Sequence, residues 1–345
     1  MSNLLKASII FLTYNQEKYV EEALLSALAQ DHPNLEIIIA DDGSTDRTLA
    51  VIEALLAEHP RGHVARILPA EPNMGLVKNW NRATQAADGD FFVAMAGDDI
   101  SAIARTSAMA AIFVKDPEVM AIFSQVSVID ASGAILHQNR EKREPKYACY
   151  RRTESRIALD FWSGAPVLGA CGAYRRPLRD EFGSILHAHS EDDPYVYRAL
   201  LIGAVAYTPQ NLVSWRWHGL NLSMGKLRDE TSPAEVLRRR AMSFVGRKDA
   251  CRQHELDLRS ANTHGRLSPA AYELEVGKLA QLVQLYDLGY YTLAPGTSAG
   301  TWLAVAFRLL RHAGCERRTL AYVLRSAIKR FAPVSLRLKY SRPST

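Results

Sequence analysis

Leu35-Glu36-Ile37-Ile38-Ile39-Ala40-Asp41-Asp42-Gly43-Ser44-Thr45-Asp46 is the stretch whose reading decides the fold of this chain. Its apolar part, Leu35 to Ala40, reads as a strand buried on both faces, the pattern of a parallel sheet covered by helices. Carboxylates and a tight turn follow at once, and open α/β sheets bind ligands in the crevice beyond the carboxyl ends of such strands. Two adjacent acids at that place suit a ligand with hydrogen-bond donors, or a metal. The alternative is that Asp42, Ser44 or Thr45 only caps a helix starting near Asp46. A second acidic pair, Gly97-Asp98-Asp99, closes another apolar run, Phe91 to Ala96, and weighs against that alternative.

Outward from this stretch, buried strands alternate with amphipathic helices, the signature of βαβ units and an α/β fold. Ala7 to Leu12 is the first strand, followed by the polar turn Thr13-Tyr14-Asn15 and a helix with Tyr19, Val20, Ala23, Leu24, Ala27 and Leu28 on one side. After Asp46 comes a helix carrying Leu49, Ile52, Leu55 and Leu56, then a short strand around Val64 to Leu68. Asn73-Met74-Gly75 is a loop, a helix runs from about Leu76 to Ala87, and Asp88-Gly89 turns into the strand Phe91 to Ala96. The strand ends converge on one crevice.

The 345 residues are 48% hydrophobic and 23% charged, the composition of a folded globular enzyme. The four cysteines, Cys149, Cys171, Cys251 and Cys315, lack the spacings of a zinc site or a disulfide framework, so a reducing compartment is expected. No signal-peptide pattern precedes the first strand, and no apolar run reaches the roughly 20 residues that span a bilayer. The expectation is a cytoplasmic protein, peripheral on the inner face of the cell membrane if its tail binds there. The net charge of +5 is uneven: Arg308, Arg311, Arg317, Arg318, Arg325, Lys329, Arg330, Arg337, Lys339 and Arg342 crowd the tail with Glu316 as the only acid among them. Interleaved Leu309, Leu310, Leu320, Tyr322, Val323, Leu324, Ile328 and Phe331 make basic amphipathic helices, which suit either an anionic membrane surface or a solvated face against the rest of the protein. No nucleic-acid partner is expected.

Neither Gly-x-Gly-x-x-Gly after the first strand nor Gly-x-x-x-x-Gly-Lys-Ser/Thr occurs, so phosphate is not held by a dinucleotide fingerprint or a P-loop. A carboxylate pair does not attract phosphate directly, but it holds a hard divalent cation that bridges to phosphate oxygens. Asp98 and Asp99 therefore point to a metal-bound diphosphate. Lys78 on the helix after Asn73-Met74-Gly75 reads as an exposed helical lysine and is left outside the site.

The residues now match a known pattern. Thr13-Tyr14-Asn15, Asp41-Asp42-Gly43-Ser44-Thr45-Asp46, Asn73-Met74-Gly75 with Asn79, Gly97-Asp98-Asp99, Glu191-Asp192, and Trp215-Arg216-Trp217-His218-Gly219 running into Asn221-Leu222-Ser223 occur in order over about residues 5 to 225. In these motifs the chain resembles the family 2 glycosyltransferases, inverting nucleotide-sugar-dependent enzymes of bacterial surface polysaccharide synthesis. The resemblance implies the GT-A fold: a Rossmann-like, mixed but mostly parallel sheet flanked by helices, here with a C-terminal helical extension. It implies a catalytic domain over 1–225, with a nucleotide-binding half over 1–100 and an acceptor half over 101–225, and a helical region over 226–345. Thr13, Tyr14 and Asn15 would lie along the nucleoside and Asp41 would accept a hydrogen bond from the base, with Asp42, Asn73, Gly75, Asn79 and Asp98 completing the donor site. Asp98 would sit near ribose and metal, and Asp99 would be the main ligand of Mn²⁺ or Mg²⁺. The implied donor is a nucleoside-diphosphate sugar, UDP- or dTDP-linked before others, and the implied acceptor is a saccharide, free or on a lipid carrier. Leu12 stands where a proline is frequent and Ser101-Ala102 replaces an aromatic or proline, neither of which removes a reacting group.

Sugar transfer needs a base for the acceptor hydroxyl proton, and Glu191-Asp192-Asp193 is the place to look. Pro194 at the first helical position would make Asp193 a helix cap, leaving Glu191 and Asp192 for the site. The resemblance puts the base on Asp192. It also makes His218, in what resembles the family's closing loop, a third metal or diphosphate ligand, where an isolated histidine would read as an ordinary core or surface imidazole. Cys171 to Arg176 reads as a strand on the acceptor side, and Gly164, Gly169 and Gly172 permit close approach of the acceptor to backbone. Trp162, Tyr174, Trp215 and Trp217 are either sugar platforms or core. His137 to Arg152 reads as a loop over the acceptor cleft. The alternatives to a transferase are a GT-A-like nucleotidyltransferase and a non-catalytic sugar-nucleotide-binding protein.

Overall fold

The structure, a computed structural model, describes residues 4–69, 72–138, 148–151, 168–218, 233–294 and 296–312, together with 323, 326 and 327. The five expected strands are present, and the described residues add five more, one of them, 148–151, inside the 137–152 stretch expected as a loop, where it pairs with the sheet. They are β1 (Ala7–Thr13), β2 (Leu35–Asp41), β3 (Ala65–Ile67), β4 (Phe91–Ala96), β5 (Ile100–Ser101), β6 (Val119–Ile129), β7 (Ile135–His137), β8 (Ala148–Arg151), β9 (Gly172–Arg175) and β10 (Ala204–Arg216). Within one sheet the order is β3-β2-β1-β4-β9-β6-β10-β5, with β7 added to β6 and β8 to β10. Strands β3, β2, β1 and β4 run parallel, β9 runs antiparallel between β4 and β6, and β10 returns parallel to β6. The result is a mixed, mostly parallel sheet flanked by helices.

The helices of this part are α1 (Val20–Leu28), α2 (Thr48–Glu58), α3 (Leu76–Ala86), α4 (Arg105–Lys115), α5 (Pro177–Asp180) and α6 (Asp192–Ile202). Strand residues alternate between the two faces. Ile9, Phe11, Ile37, Ile39, Phe91 and Val93 pack in one core with Val20, Leu24 and Leu28 of α1, Ile52 of α2 and Met109 and Phe113 of α4. On the alternate positions lies an aromatic cluster. Tyr174 of β9 meets Trp80 of α3 and Tyr195 of α6 edge-on, at centroid distances of 5.7 and 4.9 Å, and Trp80 meets Tyr195 at 5.6 Å. Each such pair contributes about 0.5–1.5 kcal/mol beyond its area burial. Trp215 and Tyr174 are buried, so both are core residues.

Two expected boundaries move. The helix after the acidic run begins at Thr48 instead of near Asp46, and no side chain caps it at Arg47. The helix over the acid triplet begins at Asp192, so Glu191, not Asp193, stands at its cap position and makes no side-chain cap bond. Strand β10 runs unbroken from Ala204 to Arg216 through Pro209. Proline has no N–H to give, and the register slips there, between Thr208 and Asn211.

The chain forms two compact units, one of Met1–Gly219 with Arg259–Ser268 and one of Leu220–Leu258 with Pro269–Thr345. In the first, Arg266 returns to the sheet domain through a forked pair with Glu181, at 2.9 and 2.8 Å. The second is helical: it holds α7 (Pro233–Thr263) as far as Leu258, then α8 (Pro269–Leu293) and α9 (Ala299–His312). Leu288 packs with Trp302, Val305, Ala306 and Leu309, and Trp302 Nε1 donates to Thr292 Oγ1 at 3.0 Å. The glycines, loops and aromatic named in the sequence at Gly164, 139–147, Trp162 and 219–226, and the basic tail after His312 apart from 323, 326 and 327, lie outside the described residues. Among the described residues, no helix is long and apolar enough to cross a membrane.

Candidate active site

Strand register brings the sequence motifs level with one another. Thr13 pairs with Asp41 across β1 and β2, and Leu12 pairs with both Ala40 and Ala96. The chain leaves the sheet in step: Asp42 N–H donates to Thr13 O at 2.9 Å and Gly97 N–H to Leu12 O at 2.8 Å. A Cβ on Gly97 would stand 2.9 Å from Thr13 Oγ1, so only glycine lets the second acidic turn pass this close to the first loop.

The two loops that open the site are clamped together. Asn15 N–H donates to Ser44 Oγ at 2.8 Å, and Asn15 Oδ1 accepts from Thr45 N–H at 2.8 Å. Gln16 N–H donates to Thr48 Oγ1 at 2.8 Å, and Glu17 Oε2 accepts from Arg47 N–H at 3.0 Å. Asn15 holds this arrangement with φ at +51°, in the left-handed region that asparagine enters more readily than most residues. Tyr14 is left 43% exposed on the loop crest. Asp41 Oδ1 accepts from Ser44 N–H at 2.7 Å and its Oδ2 accepts from the Ser44 hydroxyl, which fixes the carboxylate and leaves lone pairs for a ligand donor. Asp42 turns the other way, accepting from Met74 N–H at 2.9 Å and Gly75 N–H at 3.0 Å. Asn79 Nδ2 donates to Ala40 O at 2.7 Å, and its Oδ1 accepts from Arg82 Nη2 at 3.0 Å. Asp42 and Asn79 therefore shape the loop, while Asn73 is exposed beside them.

At the end of β4, Asp98 and Asp99 are both buried. Asp99 Oδ1 accepts from Arg216 N–H at 2.9 Å, and Asp98 Oδ2 lies 2.8 Å from His218 Nε2. Burial and the charge of Asp98 hold Asp99 well above the usual carboxylate range, against the Arg216 N–H and the cationic Arg105 and Arg216. The His218 ring stacks on Tyr19 at 4.8 Å, and the Arg216 guanidinium lies over the same Tyr19 ring, 5.1 Å from its centroid. Arg216, itself buried, also donates through Nε to Asp98 O at 2.9 Å and pairs with Glu22 of α1. Among the described residues no three His, Cys, Asp or Glu side chains converge as a ready cation cage. His218 meets Asp98 directly, and a divalent cation here would meet first the adjacent carboxylates of Asp98 and Asp99. That pair fits a divalent ion: two buried like charges, of which one is pushed toward the neutral form, gain from a cation whose remaining oxygen ligands come from phosphate.

Glu191 and Asp192 lie at the start of α6 against the segment Gly169-Ala170-Cys171. A Cβ on Gly169 would come within 2.4 Å of Glu191 Oε1 and 3.5 Å of Asp192 Oδ2. Burial and the neighbouring Asp192 push Glu191 up to about 8. Burial also raises Asp192, opposed by hydrogen bonds from Ser190 and from the Asp193 and Gly169 backbones, with Asp193 N–H donating to Asp192 Oδ1 at 2.9 Å. Burial thus favours the protonated form of Glu191, while the hydrogen bonds that Asp192 accepts favour its charged form.

Arg105 joins the two carboxylate sites, and sequence reading gave it no role. Its guanidinium is buried at the start of α4, donating to Ser101 Oγ at 2.9 Å, Ala94 O at 2.7 Å and Ala170 O at 2.9 Å. Burial lowers its pKa to about 10, Asp99 counters that, and it stays charged at neutral pH. The same cation thus faces Asp99 and holds the segment on which Glu191 and Asp192 rest. The sequence motif that contains Arg216 assigns it no role, and nothing in the pattern around Arg82 marks it out. An arginine heading a helix of small and apolar residues looks solvated in sequence, and only the pairing of β4 with β9 buries Arg105.

The model of the family described as "Glycosyl transferase family 2" matches residues 8–183, just over half of the chain. An uncharacterised glycosyltransferase of Nostoc is 27% identical over 64% of this chain and 67% of its own length. Another, from Haemophilus influenzae, is 24% identical over 71% of this chain and 75% of its own. Among solved structures, TarS of S. aureus (residues 1–349, in complex with UDP-GlcNAc) superposes with a TM-score of 0.57 at 18% identity, covering 99% of this chain and 93% of that one, a likeness of fold. By its matched domain, its sheet order and its acidic strand ends, the chain belongs to glycosyl transferase family 2 and has the GT-A fold.

Proposed function

We propose that this transferase moves a sugar, with inversion, from a nucleoside-diphosphate sugar to a hydroxyl of a saccharide, carried on a lipid at an anionic membrane surface, in surface polysaccharide synthesis. The observation that carries the reading is the placement of two carboxylate sites, Asp98-Asp99 and Glu191-Asp192, on either side of one buried guanidinium. Thr13, Tyr14, Asn15 and Asp41 line the nucleoside side, held by the loop that Asp42, Asn73, Gly75 and Asn79 complete. A UDP-sugar is the first donor to try, since UDP-GlcNAc is bound by TarS, whose fold this chain shares.

Asp99, with Asp98 and His218 beside it, would hold Mn²⁺ or Mg²⁺. Such an ion takes up the negative charge that builds on the departing diphosphate. The remaining work falls to side chains. Asp192, whose charged form the Ser190, Asp193 and Gly169 hydrogen bonds favour, accepts the acceptor hydroxyl proton as that oxygen bonds to the anomeric carbon. The bond from that carbon to the diphosphate oxygen breaks, and its electron pair leaves with the nucleoside diphosphate. One carboxylate suffices for this single displacement, and no covalent nucleophile is needed. The test is a panel of nucleotide sugars with Mn²⁺, read by release of nucleoside diphosphate and by thermal protection. Protection by UDP with Mn²⁺, together with diphosphate release from one sugar, is expected. Absence of both across the panel overturns the reading.

A further inference from the structure

Helix α9 carries apolar residues on two faces. One face is filled: Trp302, Val305, Ala306 and Leu309 are buried against Leu288 and its neighbours in α8. On the other, Leu303 and Phe307, one helical turn apart, are 57% and 70% exposed. A helix packed on one side normally turns polar residues to water on the other. The sequence of α9, Ala-Gly-Thr-Trp-Leu-Ala-Val-Ala-Phe-Arg-Leu-Leu-Arg-His, contains no acid at all. Its exposed charges are Arg308, next to Phe307, and Arg311, one turn on.

An exposed stripe of Leu and Phe that leads into arginines, with no carboxylate to repel phosphate, is the chemistry of a helix lying in the headgroup layer of an anionic bilayer. Apolar side chains enter the acyl boundary while guanidinium groups reach the lipid phosphates. Over its described residues, Ala299–His312, the helix puts its exposed arginines toward one end of the apolar stripe, which suits a place along a bilayer surface. We propose that the Leu303–Phe307 face of α9, with Arg308 and Arg311, is the surface by which this protein seats on anionic lipid. The proposal rests on the reading of a lipid-borne acceptor and says which surface meets the lipid.

The test is flotation of the full chain with vesicles of phosphatidylcholine, pure or one quarter phosphatidylglycerol, at low and high salt. The parent is expected to float with the anionic vesicles and to be released by salt. Leu303→Ser with Phe307→Ser, and separately Arg308→Glu with Arg311→Glu, should each weaken that binding about tenfold or more. All four side chains face water, so melting temperature and UDP protection should match the parent. No binding to anionic vesicles, equal binding by the Leu303/Phe307 variant, or a parent dimer that only this variant dissociates would each overturn the proposal, the last by assigning the face to a second copy. Vesicle binding needs no sugar transfer, so its outcome is independent of the donor panel.

Discussion

Asp42 and Gly75, 33 residues apart in sequence, are joined by a hydrogen bond in which Asp42 Oδ2 accepts from the Gly75 N–H at 3.0 Å. Asp42 Oδ1 takes the preceding N–H, from Met74, at 2.9 Å. Gly75, with φ at +88°, is the last residue before α3, so one carboxylate fixes where that helix begins. Asp42→Ala leaves two backbone donors without their acceptor, and a loss of about 1–3 kcal/mol is expected in denaturant unfolding. UDP protection should weaken with it. Asp42→Asn, which keeps acceptor oxygen for one of the two bonds, should fall between.

Asp99→Ala should abolish the Mn²⁺-dependent part of UDP protection in a thermal shift assay. Removing a buried carboxylate that Asp98 and burial already hold above its usual range relieves repulsion, so the apo variant is expected to melt no lower than the parent. Unchanged Mn²⁺ dependence would move the metal site elsewhere.

Asp192→Asn should keep UDP protection and lose transfer by about 100-fold or more, the worth of a positioned base. Retained transfer would remove Asp192 from that role.

Glu191 gives a prediction whose sign is fixed by its environment. A carboxyl pushed from 4.5 to about 8 binds a proton more tightly in the folded state than in the unfolded chain. It therefore costs stability as pH rises between those values, with a slope near 1.4 kcal/mol per pH unit at most. Glu191→Gln keeps the neutral shape and removes the slope. Unfolding free energies measured from pH 5 to pH 8 should fall less steeply in this variant than in the parent, and the variant should be the more stable of the two at pH 8.

Arg105→Lys keeps the charge near Asp99 but cannot span Ser101, Ala94 and Ala170 together, since one ammonium replaces a fork. The expected result is near-normal UDP protection with kcat reduced well beyond any change in donor KM, because the segment under Glu191 and Asp192 loses its anchor. A fall in melting temperature with kcat intact would make Arg105 structural only.

Much of the fold was legible in the chain. Apolar runs at Ala7, Leu35 and Phe91 with helical spacings between them specify a parallel sheet, because a two-residue period and a 3.6-residue period bury different faces. The acidic ends of those runs are visible for the same reason: polar residues abruptly follow strands that must be buried. Helix starts were less legible, since Asp42, Ser44, Thr45 and Asp193 all look like caps, and the choice depends on which backbone groups the rest of the fold leaves unpaired: Thr48 N–H goes instead to Asp46 Oδ1 at 2.9 Å.

What the amino-acid sequence determined by itself was which chemistry exists: acids at strand ends, a Glu-Asp pair before a helix, basic residues gathered toward the tail. What only the tertiary structure decided was the division of labour among them. Asp41 and Asp42 are adjacent, yet one carboxylate is fixed within its own turn and the other pins a loop 33 residues away. Arg105 and Arg216 look like any surface arginine until the Ala170 to Gly172 segment takes up the first and Asp98, Asp99 and Glu22 the second. The physical reason is that hydrogen-bond partners and burial are set by strand pairing between distant segments, and side-chain type alone does not record them.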